Sequence, residues 1–136
     1  MAEAFLKRLD SVHFDVTSAG IDRGDMHPLA IEVMNEIGVD LEGRVPKAMH
    51  DVLNLRFDIV ITLCDRARVA CPEFPKAELV HWRVDDPFVA MEDTKRKRLF
   101  QSLRDQIAHR IRLFALVQVR YAPVEKYAAQ RSAVSV

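Results

Sequence analysis

Apolar positions along this chain alternate between helical and strand spacing. Phe5, Leu6 and Leu9 recur at helical intervals with charges between them, so Ala2 to Leu9 reads as a helix. No capping residue precedes it, which is unusual for a helix start. Phe14 to Ser18 alternates, contains Val16 and Thr17, and stops before Gly20, as a strand does. Asp22 to Met26 reads as a loop. Pro28 then occupies the first position of a second helix, where its missing N–H costs nothing. Ala30, Val33, Met34 and Ile37 form one apolar face of that helix, and Gly38 closes it. Residues 39–48, with Gly43 and Pro46, connect to a short helix expected over Asp51 to Leu55.

The clearest strand is Phe57 to Leu63, F-D-I-V-I-T-L, whose nearly continuous β-branched run suggests burial on both faces, as in a parallel sheet. Cys64 and Asp65 stand at its carboxyl end. Pro72 and Pro75 break the chain, and Glu78 to His81 is a weaker strand followed by the Asp85-Asp86-Pro87 loop. From Asp93 to Val119 runs a long amphipathic helix with Phe100, Leu103, Ile107, Ile111 and Phe114 on its buried stripe. Pro123 ends it, and the last dozen residues are expected to be a loose tail. The alternation of helices and strands implies an α/β fold, a parallel sheet with helices on both faces.

Composition narrows the function classes. With 49% hydrophobic and 29% charged residues, the 136-residue chain has the make-up of one globular domain. Twenty basic residues balance twenty acidic ones, so no net field would hold a polyanion, which argues against nucleic acid as a partner. The most apolar run, Ile59 to Cys64, is far too short to span a bilayer. Glu3, Lys7, Arg8 and Asp10 interrupt the opening stretch, so it does not read as a secretory leader. A cytoplasmic protein is the expectation, with no membrane partner.

The only two cysteines are Cys64 and Cys71. Spacing alone favours two buried small hydrophobes, the usual fate of intracellular cysteines. The alternative is a redox pair: Cys64 lies at the sheet edge where active groups collect, and the intervening Arg66 and Arg68 would favour the reactive thiolate. Were residues 65–71 helical, the two Cα atoms would stand about 10 Å apart, whereas a disulfide needs roughly 7 Å or less. Oxidation would then require the segment to unwind. A zinc site from Cys64, Cys71 and His81 matches no common finger or ribbon spacing, and no metal or cofactor is expected. Asp85-Asp86 places two carboxylates on the same edge, where one of a like-charged pair suits a general acid; an ordinary solvated turn is the plainer reading. His81-Trp82 reads as packing, with the indole covering a sheet edge.

Ser18-Ala19-Gly20, His27-Pro28-Leu29-Ala30, Val60-Ile61-Thr62-Leu63-Cys64-Asp65, Cys71-Pro72, His81-Trp82, Asp85-Asp86-Pro87 and Phe100 with Arg104-Asp105 follow one another in an order that resembles the thioredoxin-coupled arsenate reductases. These are a branch of the low-molecular-weight protein tyrosine phosphatase family. The resemblance extends to about Leu116, and the cysteine pair seven apart separates this branch from ordinary phosphatases of the fold. It implies a three-layer, flavodoxin-like parallel sheet over residues 1–119, with 120–136 as a tail. It also implies a relay. A cysteine in a C-x5-R loop attacks arsenic while backbone N–H groups and the arginine hold the oxyanion. Asp86 serves as general acid, Cys64 attacks the first cysteine and releases arsenite, and Cys71 resolves Cys64. Thioredoxin, or a similar dithiol donor, reduces the resulting disulfide. Some members bind potassium near a carboxylate in the connection before Cys64; Lys47 stands there instead and argues against such a site.

The same resemblance aligns Met1-Ala2-Glu3 with residues just after the C-x5-R loop. The expectation is therefore a chain missing the family's first strand, the nucleophile and the loop arginine, and so inactive toward arsenate or phosphate as written. Six residues after Cys64 and Cys71 stand Ala70 and Ala77. In the family that first strand is central, lying between the strands equivalent to Phe14–Ser18 and Phe57–Leu63. Its loss leaves three ways forward: closure of the sheet, a strand donated by a second copy in a homodimer, or an upstream extension. A non-catalytic redox or interaction module and a phosphatase-like remnant are the alternative functions.

Overall fold

The computed structural model describes residues 1–85, 87, 92–121 and 131–135. Four strands form one sheet, all parallel: β1 (Phe14–Ser18), β2 (Ile59–Thr62), β3 (Glu78–His81) and β4 (Arg131–Ser135), in the order β1-β4-β2-β3. Helices α1 (Ala2–Leu9), α2 (Pro28–Asn35), α3 (Asp65–Ala70) and α4 (Asp93–Tyr121) complete it. The α/β parallel architecture read from the sequence is the one observed.

The centre of the sheet departs from expectation. β4 comes from the segment expected to be a loose tail, and it lies between β1 and β2. Residues 131–135 pair along the whole of β1, from Phe14 opposite Arg131 to Ser18 opposite Ser135. On the other side, Ile59, Val60 and Ile61 stand opposite Ala133, Val134 and Ser135. The position that the resemblance left empty is thus filled from within the chain, and the vacancy that argued for strand complementation by a second copy is absent. The physical reason is the obligatory pairing of backbone groups: two buried strands facing a gap would leave N–H and C=O groups unsatisfied.

β2 is buried at all four positions. Ile59 and Ile61 join Phe14 and Val16 beneath Ala2 and Leu6 of α1 and Ile107, Ile111 and Phe114 of α4. Val60 faces the other way, into a cluster with Ala19, Met49, Val52, Phe57 and Ala67 of α3. Two-sided burial is what the β-branched run implied. A third cluster joins Ala4, Val33, Met34 and Phe100 across α1, α2 and α4. There Arg104, almost fully buried, donates to the Val33 carbonyl at 2.9 Å and pairs with Glu36 at 3.1 Å.

Local details differ from the periodicity. In α1 the buried face is Ala2, Ala4 and Leu6; Leu9 is exposed. The short helix expected over 51–55 is a 3-10 turn, Met49–Val52, with Leu53 and Leu55 outside. Gly38 takes φ +69°, the left-handed conformation that ends a helix. Among the described residues no helix is long and apolar enough to cross a membrane.

Candidate functional site

Cys64 and Cys71 cap the two ends of the six-residue helix α3 at the carboxyl edge of the sheet. Leaving β2, the chain reaches Cys64 in extended conformation (φ −147°), and the Cys64 Sγ accepts the Ala67 N–H at 3.3 Å. The sulfur takes the role an oxygen takes at an ordinary N-cap. Cys64 is exposed, whereas Cys71 is half-buried. The Cys71 Sγ lies 3.6 Å from the Pro72 carbonyl and borders a hollow of about 410 Å³ with Val60, Phe74, Pro75 and Leu79. Burial pushes the Cys71 thiol above its ordinary pKa. The expectation that the intervening arginines favour thiolate therefore fails at Cys71, where desolvation of the charged form governs. Arg68 instead pairs with Asp65 at 3.8 Å.

A polar chain runs beside Cys64. Thr62, fully buried, has its Oγ1 2.8 Å from the His81 Nδ1. On the far side of the ring, the Nε2 lies 3.3 Å from an Asp65 carboxylate oxygen. Trp82 stands edge-on to Phe114 with centroids 5.9 Å apart, so the packing role read for it is observed. His81 is different: the structure makes it a bridge between β2 and α3.

A cavity of about 620 Å³ opens at the same edge of the sheet, lined among others by Met1, Glu3, Ser18, Arg44, Lys47 and Leu63. Neither cysteine is among its lining residues. Glu3 receives a hydrogen bond from Lys7 Nζ at 2.6 Å and another from the Ser18 hydroxyl. Burial alone would raise the Glu3 pKa, but these bonds and the charges of Lys7 and Lys47 outweigh it and hold the carboxyl below its usual range. A lysine thus already supplies positive charge beside this carboxylate, and the residues present do not fit a potassium ion. Because the folded-state pKa is lowered, the stabilisation is present above the ordinary carboxylate pKa and is lost as pH falls through the folded value. Urea unfolding at a series of acid pH values is expected to give a flatter stability curve for Glu3→Gln than for the unsubstituted chain; equal slopes would contradict it.

Asp86 lies outside the described residues. Asp85 is exposed. Among the described residues no three His, Cys, Asp or Glu side chains are grouped to hold a metal ion, and Cys64, Cys71 and His81 do not form such a group.

Residues 1–126 match the family described as low molecular weight phosphotyrosine protein phosphatase. The chain belongs to that family. The chain is 41% identical over 119 residues to an arsenate reductase of Shouchella clausii, covering 85% of this chain and 84% of that protein. To an arsenate reductase of Halalkalibacterium halodurans it is 38% identical over 117 residues, with the same coverage. Among solved structures, an arsenate reductase in its oxidised state superposes with a TM-score of 0.71 at 29% identity, covering 85% of this chain and 86% of the other. One in the reduced state superposes at 0.63 and 28%. This low molecular weight phosphatase fold thus sits in the arsenate reductase branch, as the motifs indicated.

Proposed function

We propose that this chain is an arsenate reductase-type protein, inactive toward arsenate as these 136 residues stand, whose Cys64 and Cys71 pass electrons from a dithiol donor of the reducing cytoplasm, thioredoxin or its like, to a first cysteine in a C-x5-R loop. The observation that carries the reading is the placement of the two cysteines at opposite caps of one short helix on the sheet's carboxyl edge, one sulfur open to solvent and the other sheltered. In the relay, a thiolate-bound arsenic(V) adduct is attacked at its sulfur by Cys64. The sulfur–arsenic bond breaks with its electron pair left on arsenic, which departs as arsenite. Cys71 then attacks Cys64, displaces the first sulfur as thiolate, and leaves a Cys64–Cys71 disulfide for the donor to reduce by exchange. Asp86, as general acid for the departing oxygen, belongs to the same proposal.

The high pKa of Cys71 gives the order of events a physical basis. A sheltered thiol is a poor nucleophile until the helix opens and water reaches it. Cys64, exposed, is the sulfur that meets an incoming adduct first.

Mild oxidation followed by mass spectrometry of the alkylated protein tests the reading. A Cys64–Cys71 disulfide that thioredoxin reduces is expected, and either Cys64→Ser or Cys71→Ser abolishes it. Thiols that both remain alkylatable after oxidation would overturn the proposal. No C-x5-R occurs in these residues, and that favours, as the second reading, a thiol–disulfide module without oxyanion chemistry. Tight arsenate binding by the chain would exclude it.

A further inference from the structure

Seven residues of helical rise separate Cys64 from Cys71 by about 10 Å, and a disulfide spans at most about 7 Å between Cα atoms. α3 must therefore open before the two sulfurs meet. A six-residue helix has no stability of its own in water, so tertiary contacts decide how readily it opens. Ala67 is the residue of α3 buried in the core. The side-chain tie between α3 and the sheet runs through Asp65, at its first turn, to His81 at the end of β3. Arg83, at 3.9 Å and largely exposed, and Arg68, within the same helix, are long solvent-screened partners of that carboxylate.

The His81 ring is held from both sides. With the proton on Nε2, Nδ1 is the acceptor and the Thr62 hydroxyl donates to it, while Nε2 lies 3.3 Å from the Asp65 carboxylate as an electrostatic contact. Thr62 is fully buried at the carboxyl end of β2, and the Trp82 N–H donates to its carbonyl at 2.8 Å. The anchor thus belongs to the sheet, and the tethered end, Asp65, to the short helix.

We infer that His81 is a positioning residue, a latch between Thr62 and Asp65 that holds α3 helical and so favours the dithiol over the Cys64–Cys71 disulfide. This rests on the proposed redox role of the pair. Breaking the latch stabilises the oxidised form relative to the reduced one, because only the helical form makes the bridge.

The test equilibrates the full chain with mixtures of reduced and oxidised dithiothreitol and counts free thiols by alkylation. In the exchange, Cys64 and Cys71 lose one hydrogen each and form an S–S bond, while the oxidised dithiothreitol gains both and opens to its dithiol. His81→Leu is expected to shift the equilibrium constant about three- to fivefold toward the protein disulfide, the upper range of a partly exposed charge contact. His81→Gln, whose amide offers both an acceptor for Thr62 and a donor for Asp65, is expected to stay within about twofold of the unsubstituted chain. Asp65→Asn is expected to shift the constant in the same direction, and adding His81→Leu to it to change little more, since the two residues act as one unit. Equal constants for the unsubstituted chain and His81→Leu, or fully additive shifts in the double variant, would overturn the latch alone. Absence of any disulfide in the unsubstituted chain would overturn the redox role and the latch together.

Discussion

A chain carrying Ala133→Pro is expected to be unfolded in plain buffer. Ala133 stands at the middle of β4, opposite Val16 on one side and Ile59 on the other. Proline removes the N–H that the ladder needs and does not sit in a central strand. The loss is not local. If β4 detaches, β1 and β2 face each other across a strand-wide gap, with the apolar side chains of Phe14, Val16, Ile59 and Ile61 held in the core above and beside it. Each buried backbone group left without a partner costs about 1–3 kcal/mol, and a domain of this kind has roughly 5–15 kcal/mol in total. Removing residues 131–136 is expected to do the same. Circular dichroism and urea titration check both; a cooperative transition at the unsubstituted midpoint in either variant would show that the sheet closes without β4.

The second large effect concerns arsenate. These 136 residues, assayed with thioredoxin, its reductase and NADPH, are expected to give no arsenate-dependent oxidation of NADPH. Cys64 and Cys71 can relay electrons, but neither has an arginine six residues on to hold the oxyanion. The family resemblance implies a strand leading into a C-x5-R loop between the equivalents of β1 and β2. β4 now stands in that place. A fusion that adds a strand and C-x5-R loop before Met1 is therefore expected to gain turnover most fully when residues 131–135 are deleted, because the added strand and β4 compete for one set of hydrogen bonds. Turnover by the unextended chain would refute the argument, and equal turnover by fusions with and without β4 would refute the competition.

Most of the framework was legible in the chain itself because long periodic segments bury one face. The 29 residues of α4 and the buried run of β2 announced themselves this way, and Cys64 at the end of that run was placed at the sheet edge by the same reasoning. α3 was not visible as an element: in D-R-A-R-V-A only Ala67 is buried, so no stripe exists to read. β4 is hidden in the sequence for a related reason. Arg131–Ser135, R-S-A-V-S, has no strong strand propensity, and pairing with β1 and β2 makes it a strand. His81 beside Trp82 has the pattern of a packing pair, yet the chain carries a contrary signal. Thr62 is a hydroxyl inside an otherwise apolar buried run, and such a group requires a partner. Searching the next strand for a residue able to supply one leads to His81.

The placement of β4 also governs when the molecule can take shape during its synthesis. Residue 18 completes β1 and residue 62 completes β2, yet the strand that joins them is not available until residue 135. For most of translation the ribosome therefore carries a polypeptide with two β-branched segments that have no mutual neighbour, the condition in which nascent chains depend most on holding factors. A chain whose synthesis halts before residue 131 lacks the middle of its sheet and is a state the cell would have to chaperone.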